Sequence, residues 1–314
     1  MRAEALAIDV GGTKLAAAWV DDGGRVRDLR VTPTPASADP EVVWRALADL
    51  VTGMMASRPA TVIGVGIGSA GPLDHAAGTV SPVNIPGWRG FGLRDRVAEL
   101  TGLPVRMVGD GICAAVGEHW LGAGKGRDDM LGVVVSTGVG GGLILGGRLH
   151  LGRTGNAGHI GHIVVDLDGE PCPCGSVGCV EVMASGPSMV RWAIGRGWAA
   201  PAEATARDLA AAAMRGDEVA LAAFDRAGRA LAAGFVTTVA ACDLDLVVIG
   251  GGLARTGELL LTPVRRWLTR LGGLGFVTDV TVTLAALNDH AGLVGAAALL
   301  HRPHRYATSR STPD

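Results

Sequence analysis

The side chains best suited to chemistry crowd into one stretch, GHIGHIVVDLDGEPCPCGSVGCVE, residues 158–181. It holds two histidines, two glutamates and three of the chain's five cysteines. His162, Cys172, Cys174 and Cys179 are spaced H-x9-C-x-C-x4-C. Four nitrogen and sulfur donors of this kind suit tetrahedral zinc in a closed, structural site. Pro171, Pro173, Gly175 and Gly178 supply the tight turns that a ligand knuckle requires. A metal-bound imidazole keeps a second nitrogen free, so His162 can also face a substrate. The stretch therefore reads as a metal clip, a substrate site, or both.

Glycine turns carry the second signal. Asp9-Val10-Gly11-Gly12-Thr13-Lys14 follows a short apolar run, and Ser136-Thr137-Gly138-Val139-Gly140-Gly141-Gly142 follows another. A third turn, Gly250-Gly251-Gly252, closes the run LDLVVI. Glycines let the backbone approach an anion, and successive N–H groups form an anion-binding nest. Two such loops and the third turn fit a polyphosphate and its nucleoside; a plain hairpin is the alternative for each. Neither the Walker pattern nor G-x-G-x-x-G is present, which disfavours P-loop and dinucleotide readings. Asp9, at a strand end, is a candidate magnesium ligand. Asp110 follows the apolar run VRMVG and opens a helix, where it reads as a general base or as an N-cap. His75, His119 and His150 have no partner visible in the sequence and read as surface or satisfied core residues.

These residues need a scaffold, and the apolar pattern outlines one. Ala3–Val10, Leu15–Asp21 and Val26–Val31 read as strands joined by short turns, so the sheet starts antiparallel. Asp39 and Pro40 cap and open a helix running to about Ala56. A buried strand follows in TVIGVGIGSAG, then a helix at Leu93–Leu100, a strand at Pro104–Val108 and a helix at Gly111–Leu121. After the glycine-rich GAGKGRDD come the strands MLGVVVSTG and GGLILGG, a long alanine-rich helix over 217–240 and the strand before Gly250. A last strand is expected near Val277–Leu284 and a closing helix at HAGLVGAAALLH. No tandem repeat of fixed period is evident.

At 314 residues the chain exceeds the size at which one core usually keeps growing, so two lobes are expected. Its 28 basic and 30 acidic residues are well mixed and give a net charge of −2, which argues against nucleic acid or an anionic membrane as partner. One tyrosine and four phenylalanines leave little for base stacking. No leader pattern or membrane-spanning apolar run is seen, so a soluble cytoplasmic protein is expected, and reduced thiols there favour metal over disulfides.

Taken together, DVGGTK, STGVGGG, GHIGHIVVD, CPCGSVGCVE, ASG and VVIGGGLA resemble the ROK family of bacterial sugar kinases and sugar-responsive repressors, over about residues 3–300. The resemblance implies an α/β, two-lobed, actin-like ATPase fold of ribonuclease H type, with nucleotide and sugar in the cleft between lobes. Residues 1–122 would form the N-terminal lobe and 123–288 a larger C-terminal lobe with the zinc knuckle. Residues 289–302 would be a closing helix able to return to the first lobe, and 303–314 a disordered tail. By the same resemblance Asp9, Gly11, Gly12, Thr13 and Lys14 match the first phosphate motif, Thr137 and Gly138 the second, and Gly251 and Gly252 the adenosine side. Asp110 matches the catalytic base, which takes the proton of a sugar hydroxyl as it attacks ATP with Mg2+ bridging the phosphates. Asn84, Gly109, Asp110, His159, His162 and Glu181 match sugar-facing positions; Zn2+ is structural, and a homodimer is implied.

Three departures from the family's glucokinase pattern stand out. Gly109 replaces an asparagine, Ile112 replaces another, and His159 replaces the glutamate of G-E-x-G-H. AGHIGH, GGTKLAAA and NDHAGLVGAAAL are closer to the family's N-acetylmannosamine kinases. Glucose, N-acetylmannosamine and a 3-amino sugar such as kanosamine are the candidate substrates for 6-phosphorylation. A sugar-sensing repressor is the rival, although such proteins carry a helix-turn-helix ahead of the first phosphate motif, which here begins at Asp9. A zinc-knuckle binding module without catalysis is the third reading.

Overall fold

The computed structural model describes residues 3–306. Of these, residues through Asp128, Gly142–Gly158 and Leu287 onward gather into one compact unit, and Asp129–Gly141 with His159–Ala286 into a second. This differs from the division at residue 122 in two ways. Gly142–Gly158 groups with the N-terminal part, and the first unit is the larger of the two. The closing helix also lies in that first unit.

The first unit opens with β1 (Glu4–Val10), β2 (Lys14–Asp21) and β3 (Val26–Pro33), an antiparallel meander as the short turns predict. Helix α1 (Pro40–Ala56) follows, its start set by Asp39, whose Oδ1 accepts the Glu41 N–H at 2.9 Å. Next come β4 (Val62–Ser69), the short pair β5 (Leu73–Asp74) and β6 (Thr79–Val80), then α2 (Leu93–Thr101), β7 (Val105–Gly109) and α3 (Asp110–Leu121). The main sheet is ordered β3-β2-β1-β4-β7, with β4 parallel to both β1 and β7. Leu6, Ile8, Leu15, Trp19, Leu47, Ile67 and Trp88 are among the residues that fill its core.

Beyond the linker lie β8 (Met130–Val135), β9 (Val139–Leu145) and β10 (Arg148–His150). Helices α4 (Val180–Ala184), α5 (Gly186–Gly195), α6 (Ala206–Met214) and α7 (Glu218–Cys242) precede β11 (Leu246–Gly250) and α8 (Glu258–Leu271). The strand expected from Val277 begins later: Gly275–Thr278 forms the single helical turn α9, and β12 spans Thr281–Leu284. The second sheet is ordered β10-β9-β8-β11-β12. Counting each sheet's strands in chain order, both read 3-2-1-4-5, a duplication with no counterpart as a sequence repeat.

Helix α10 (Ala291–His301) packs on α3 within the first unit. A Cβ on Gly295 would stand 1.7 Å from the Cys113 carbonyl oxygen, and one on Gly117 2.2 Å from that of Ala291, so the two backbones touch. The tail prediction is corrected in part. Pro303–Tyr306 forms the short helix α11, and Tyr306 is buried with its hydroxyl 2.7 Å from His119 Nδ1; residues 307–314 lie outside the described residues. His119 is thus a satisfied core histidine, its other nitrogen lying 2.7 Å from the Arg127 carbonyl oxygen. Among the described residues no helix is long and apolar enough to cross a membrane.

Candidate active site

In the first unit the parallel strands bring two aspartates to the same sheet edge. Asp9, next to last in β1, lies opposite Gly68 of β4, and Ser69 pairs with Gly109, the last residue before Asp110. Gly68 keeps the space above β4 clear. A Cβ there would lie 3.0 Å from Cys113 Sγ and 3.6 Å from the Asp110 Cα, so the first turn of α3 settles directly over the strand. Burial and the neighbouring Asp110 push the Asp9 carboxyl up to about 6, with Lys14 pulling the other way. Asp110 is reached by solvent yet deeply surrounded by chain. That burial raises its pKa, against the pull of the Gly111 N–H, which donates to its Oδ1 at 2.7 Å.

The N-cap reading of Asp110 does not hold. Gly109 is the cap residue, at φ −63° and ψ 149°, and Asp110 lies inside the first turn. Its Oδ1 takes one first-turn N–H, that of Gly111, from inside the helix rather than from the cap position. Gly109 occupies ordinary extended backbone, and a Cβ added there would meet only the Ile112 side chain, at 3.5 Å or more. The missing side chain leaves real space. Ile112 is different, for it is packed inside at 5% exposure.

The first glycine loop is braced by its own backbone and by the Asn84 loop. Gly11 donates to the Lys14 carbonyl at 3.0 Å, and Thr34 Oγ1 donates to the Gly11 carbonyl at 2.6 Å. A Cβ on Gly12 would fall 2.5 Å from the Asn84 Cβ, so only glycine lets these segments meet. Asn84 is exposed, while its loop is anchored by buried Ile85 and Trp88, whose Nε1 donates to the Pro40 carbonyl at 3.1 Å. Arg89 ties the same loop through three carbonyls, those of Pro82, Ile85 and Trp88. Thr13 and Lys14 stand exposed beside it.

In the second unit the Thr137–Gly138 turn bridges β8 and β9. Ser136 donates to the Gly138 carbonyl at 2.8 Å, and the Ser136 carbonyl accepts from Gly186 at 2.8 Å. Glu181, in the first turn of α4, reaches this loop: its Oε2 accepts the Val139 N–H at 2.8 Å. Gly251 has φ +90°, and a Cβ there would meet the Val135 carbonyl oxygen at 2.5 Å. The third turn is thereby pressed against the end of β8 at Val135.

The knuckle forms as the spacing predicts. His162, Cys172, Cys174 and Cys179 present ligand atoms all within 4.8 Å of one another. His162 Nδ1 lies 3.6 Å from Cys172 Sγ, and the Cys174 and Cys179 sulfurs are 3.8 Å apart. Tetrahedral zinc with Zn–S bonds of about 2.3 Å needs sulfur pairs about 3.8 Å apart, so the donor set fits the ion. Cys172 and Cys179 are buried, and burial raises both thiols, Cys179 to about 12. Cys174 is exposed and lowered by the Ser176 N–H. His159 stands outside the donor set, its ring stacked on His162 with centroids 4.9 Å apart and planes 12° from parallel. Burial, then the neighbouring His162, holds His159 below the usual histidine range.

Two carboxylates play parts that the sequence reading does not include. Glu118, 3% exposed on α3, accepts the Ala123 N–H at 2.8 Å and the Leu287 N–H at 2.7 Å, fixing two loops of the first unit. Glu181, read as a sugar contact alone, also holds a loop 42 residues earlier in sequence. No local motif marks either contact.

Two mixed sheets of one strand order, each opening with a strand and a glycine turn, define an α/β protein of the actin-like ATPase class. A solved relative bears this out: a ROK family glucokinase from Streptomyces griseus, solved with glucose and AMPPNP, superposes with a TM-score of 0.83 at 36% identity, covering 95% of this chain and 99% of that one. The chain belongs to the ROK family, whose sequence model matches residues 5–303. It is 36% identical over 316 residues to a glucokinase of Streptomyces coelicolor, covering 95% of this chain and 98% of the relative. It is 40% identical over 296 residues to an N-acetylmannosamine kinase of Escherichia coli, covering 94% and 97%.

Proposed function

We propose that this protein is an ATP-dependent sugar kinase that phosphorylates the 6-hydroxyl of a hexose or amino-hexose, with Asp110 as general base. The observation that carries the reading is the state of Asp110. Its carboxyl stands in the first turn of α3 at the sheet edge shared with Asp9, takes the Gly111 N–H on one oxygen, is reached by solvent, and is raised by desolvation from the chain around it. A base of raised pKa takes a hydroxyl proton more readily as that oxygen attacks phosphorus. The remaining roles follow the same reading. Gly11, Gly12, Thr13 and Lys14 cradle phosphate from one loop, Thr137 and Gly138 from another, and Gly251 and Gly252 serve the adenosine side. Asp9 would hold Mg2+, which would supply positive charge against the phosphates. A buried carboxylate beside a second one suits a divalent cation, whose charge relieves their mutual repulsion. Zinc at the Cys3His knuckle would be structural.

Asn84, His159, His162 and Glu181 orient the sugar in this reading, and Gly109 sets what fits beside the attacked ring. Three substrates are in play: glucose, N-acetylmannosamine and a 3-amino sugar such as kanosamine. The relatives named glucokinase and N-acetylmannosamine kinase, at 36% and 40% identity, support the class without ranking its members. The test is coupled ADP release across glucose, mannose, N-acetylmannosamine, glucosamine and kanosamine. One of them should stimulate release, and Asp110→Asn should abolish the stimulation. Nucleotide and sugar binding without ADP release would instead support a sugar-sensing regulator.

A further inference from the structure

We propose that Glu181 is a positioning residue for nucleotide binding, fixing the second glycine loop through the Val139 N–H whether or not sugar is bound. The inference rests on the reading of Thr137 and Gly138 as a phosphate loop, and gives Glu181 a task beyond the sugar contact.

The loop cannot set its own shape. Gly138 ends the turn, and β9 opens directly after it with Val139 and then Gly140–Gly142, which offer no side chain to pin the turn. Each glycine carries more backbone freedom than any other residue, so an anion-binding conformation here needs an outside brace. Part of the brace is backbone, from the Ser136 N–H to the Gly138 carbonyl and from the Gly186 N–H to the Ser136 carbonyl. A side-chain acceptor completes it: Glu181 Oε2 lies 2.8 Å from the Val139 nitrogen. Packing tightens this further. A Cβ on Gly138 would lie 2.7 Å from the same oxygen, so carboxylate and loop backbone are in direct contact.

Glu181 is itself held in place. Val180 and Val182 on either side are buried, the Val180 N–H donates to the Ile163 carbonyl at 3.0 Å, and the Ser185 N–H to the Glu181 carbonyl at 3.0 Å. Cys179, a knuckle ligand, is the N-cap residue of the same short helix. Knuckle, Glu181 and glycine loop are thus consecutive contacts within one unit. A carboxylate near an incoming triphosphate carries an electrostatic cost, which a purely sugar-directed acid has no reason to take on beside this loop. The bond to Val139 supplies that reason, since an N–H to a carboxylate is stronger than a neutral pair.

The experiment measures AMPPNP with Mg2+ binding to sugar-free protein, purified without chelator, by isothermal titration. Glu181→Ala should weaken binding about ten-fold, the loss of one charge-assisted hydrogen bond. Glu181→Gln, whose amide oxygen can still accept from Val139, should stay within about three-fold. Zinc content and melting temperature report whether each variant keeps its knuckle and fold. Thr137→Val tests the loop independently and should also weaken binding. If Thr137→Val weakens binding while Glu181→Ala does not, Glu181 serves sugar alone and the proposal is overturned. If neither does, the phosphate-loop reading itself fails. A Gln variant as weak as the Ala one overturns the hydrogen-bond account. Should Glu181→Ala not fold, hydrogen exchange of the Val139 amide in the sugar-free wild type decides: slow exchange supports the brace, and exchange at the rate of an open amide refutes it.

Discussion

The glycine loop at Gly11–Gly12 lies beside a carboxylate of its own strand, whereas the turn at Thr137–Gly138 is backed by one from a separate helix. The two acids are employed differently. Asp9 is crowded by Asp110 and pushed up to about 6, a group under electrostatic load and suited to a cation. Glu181 spends one oxygen on the Val139 N–H and serves as a strut. Two carboxylates beside glycine turns are therefore proposed for different work, cation binding in one unit and support of the backbone in the other. What separates them is whether a backbone N–H has already claimed the oxygen.

The variants that probe this contrast range widely in effect. The largest should come from Asp110→Asn, which removes the general base. Turnover should fall by about 10²–10⁴-fold while AMPPNP affinity in sugar-free protein is kept. A parallel loss of affinity would blur the division between chemistry and scaffold. Next is Cys179→Ala, which should release the metal, as read by elemental analysis, and lower stability by about 2 kcal/mol or more. Its damage should fall on the second loop, seen as faster exchange of the Val139 amide, and leave the first loop's amides unchanged.

Asp9→Asn should do the opposite and stabilise the fold. A carboxyl whose folded pKa is raised from 3.8 to about 6 disfavours folding when ionised. The cost is full above pH 6 and disappears as pH falls towards 4. At pH 8 the variant should gain about 2 kcal/mol in chemical denaturation, with no gain at pH 4. It should also lose activity, since the cation ligand is gone, and wild-type kcat/KM should decline as pH falls through about 6. The smallest effect is expected from Gly109→Asn. Its backbone suits any residue and the added Cβ meets only ordinary contacts, so stability should shift by less than about 1 kcal/mol. The readout is the ranking of sugars by ADP release, which should change; an unaltered ranking removes Gly109 as a specificity position.

Much of the framework is legible in the residues themselves. The meander β1–β3, the helix opened by Asp39 and Pro40, and the Cys3His cluster all rest on signals a few residues long. What is not legible depends on distance along the chain. The placement of Gly142–Gly158 in the first unit, the shared strand order of the two sheets and the reach of Glu181 across 42 residues have no local signature. Asp110 shows the limit within a single motif. An aspartate after a strand and before a helix fits cap and base alike, and the backbone angles that put Gly109 at the cap position are visible only in the structure. The turn at Gly275–Thr278 was obscured in another way, because its apolar residues satisfy a strand and a helical turn equally well.

The most direct test of the central claim is phosphorus NMR of the reaction mixture containing ATP, Mg2+ and each of the five sugars. Sugar phosphorylation at the 6-hydroxyl predicts, for at least one sugar, a new phosphomonoester resonance coupled to the C6 protons, growing in step with ADP and missing with Asp110→Asn. ATP that stays intact with every sugar, or yields only inorganic phosphate, would contradict it.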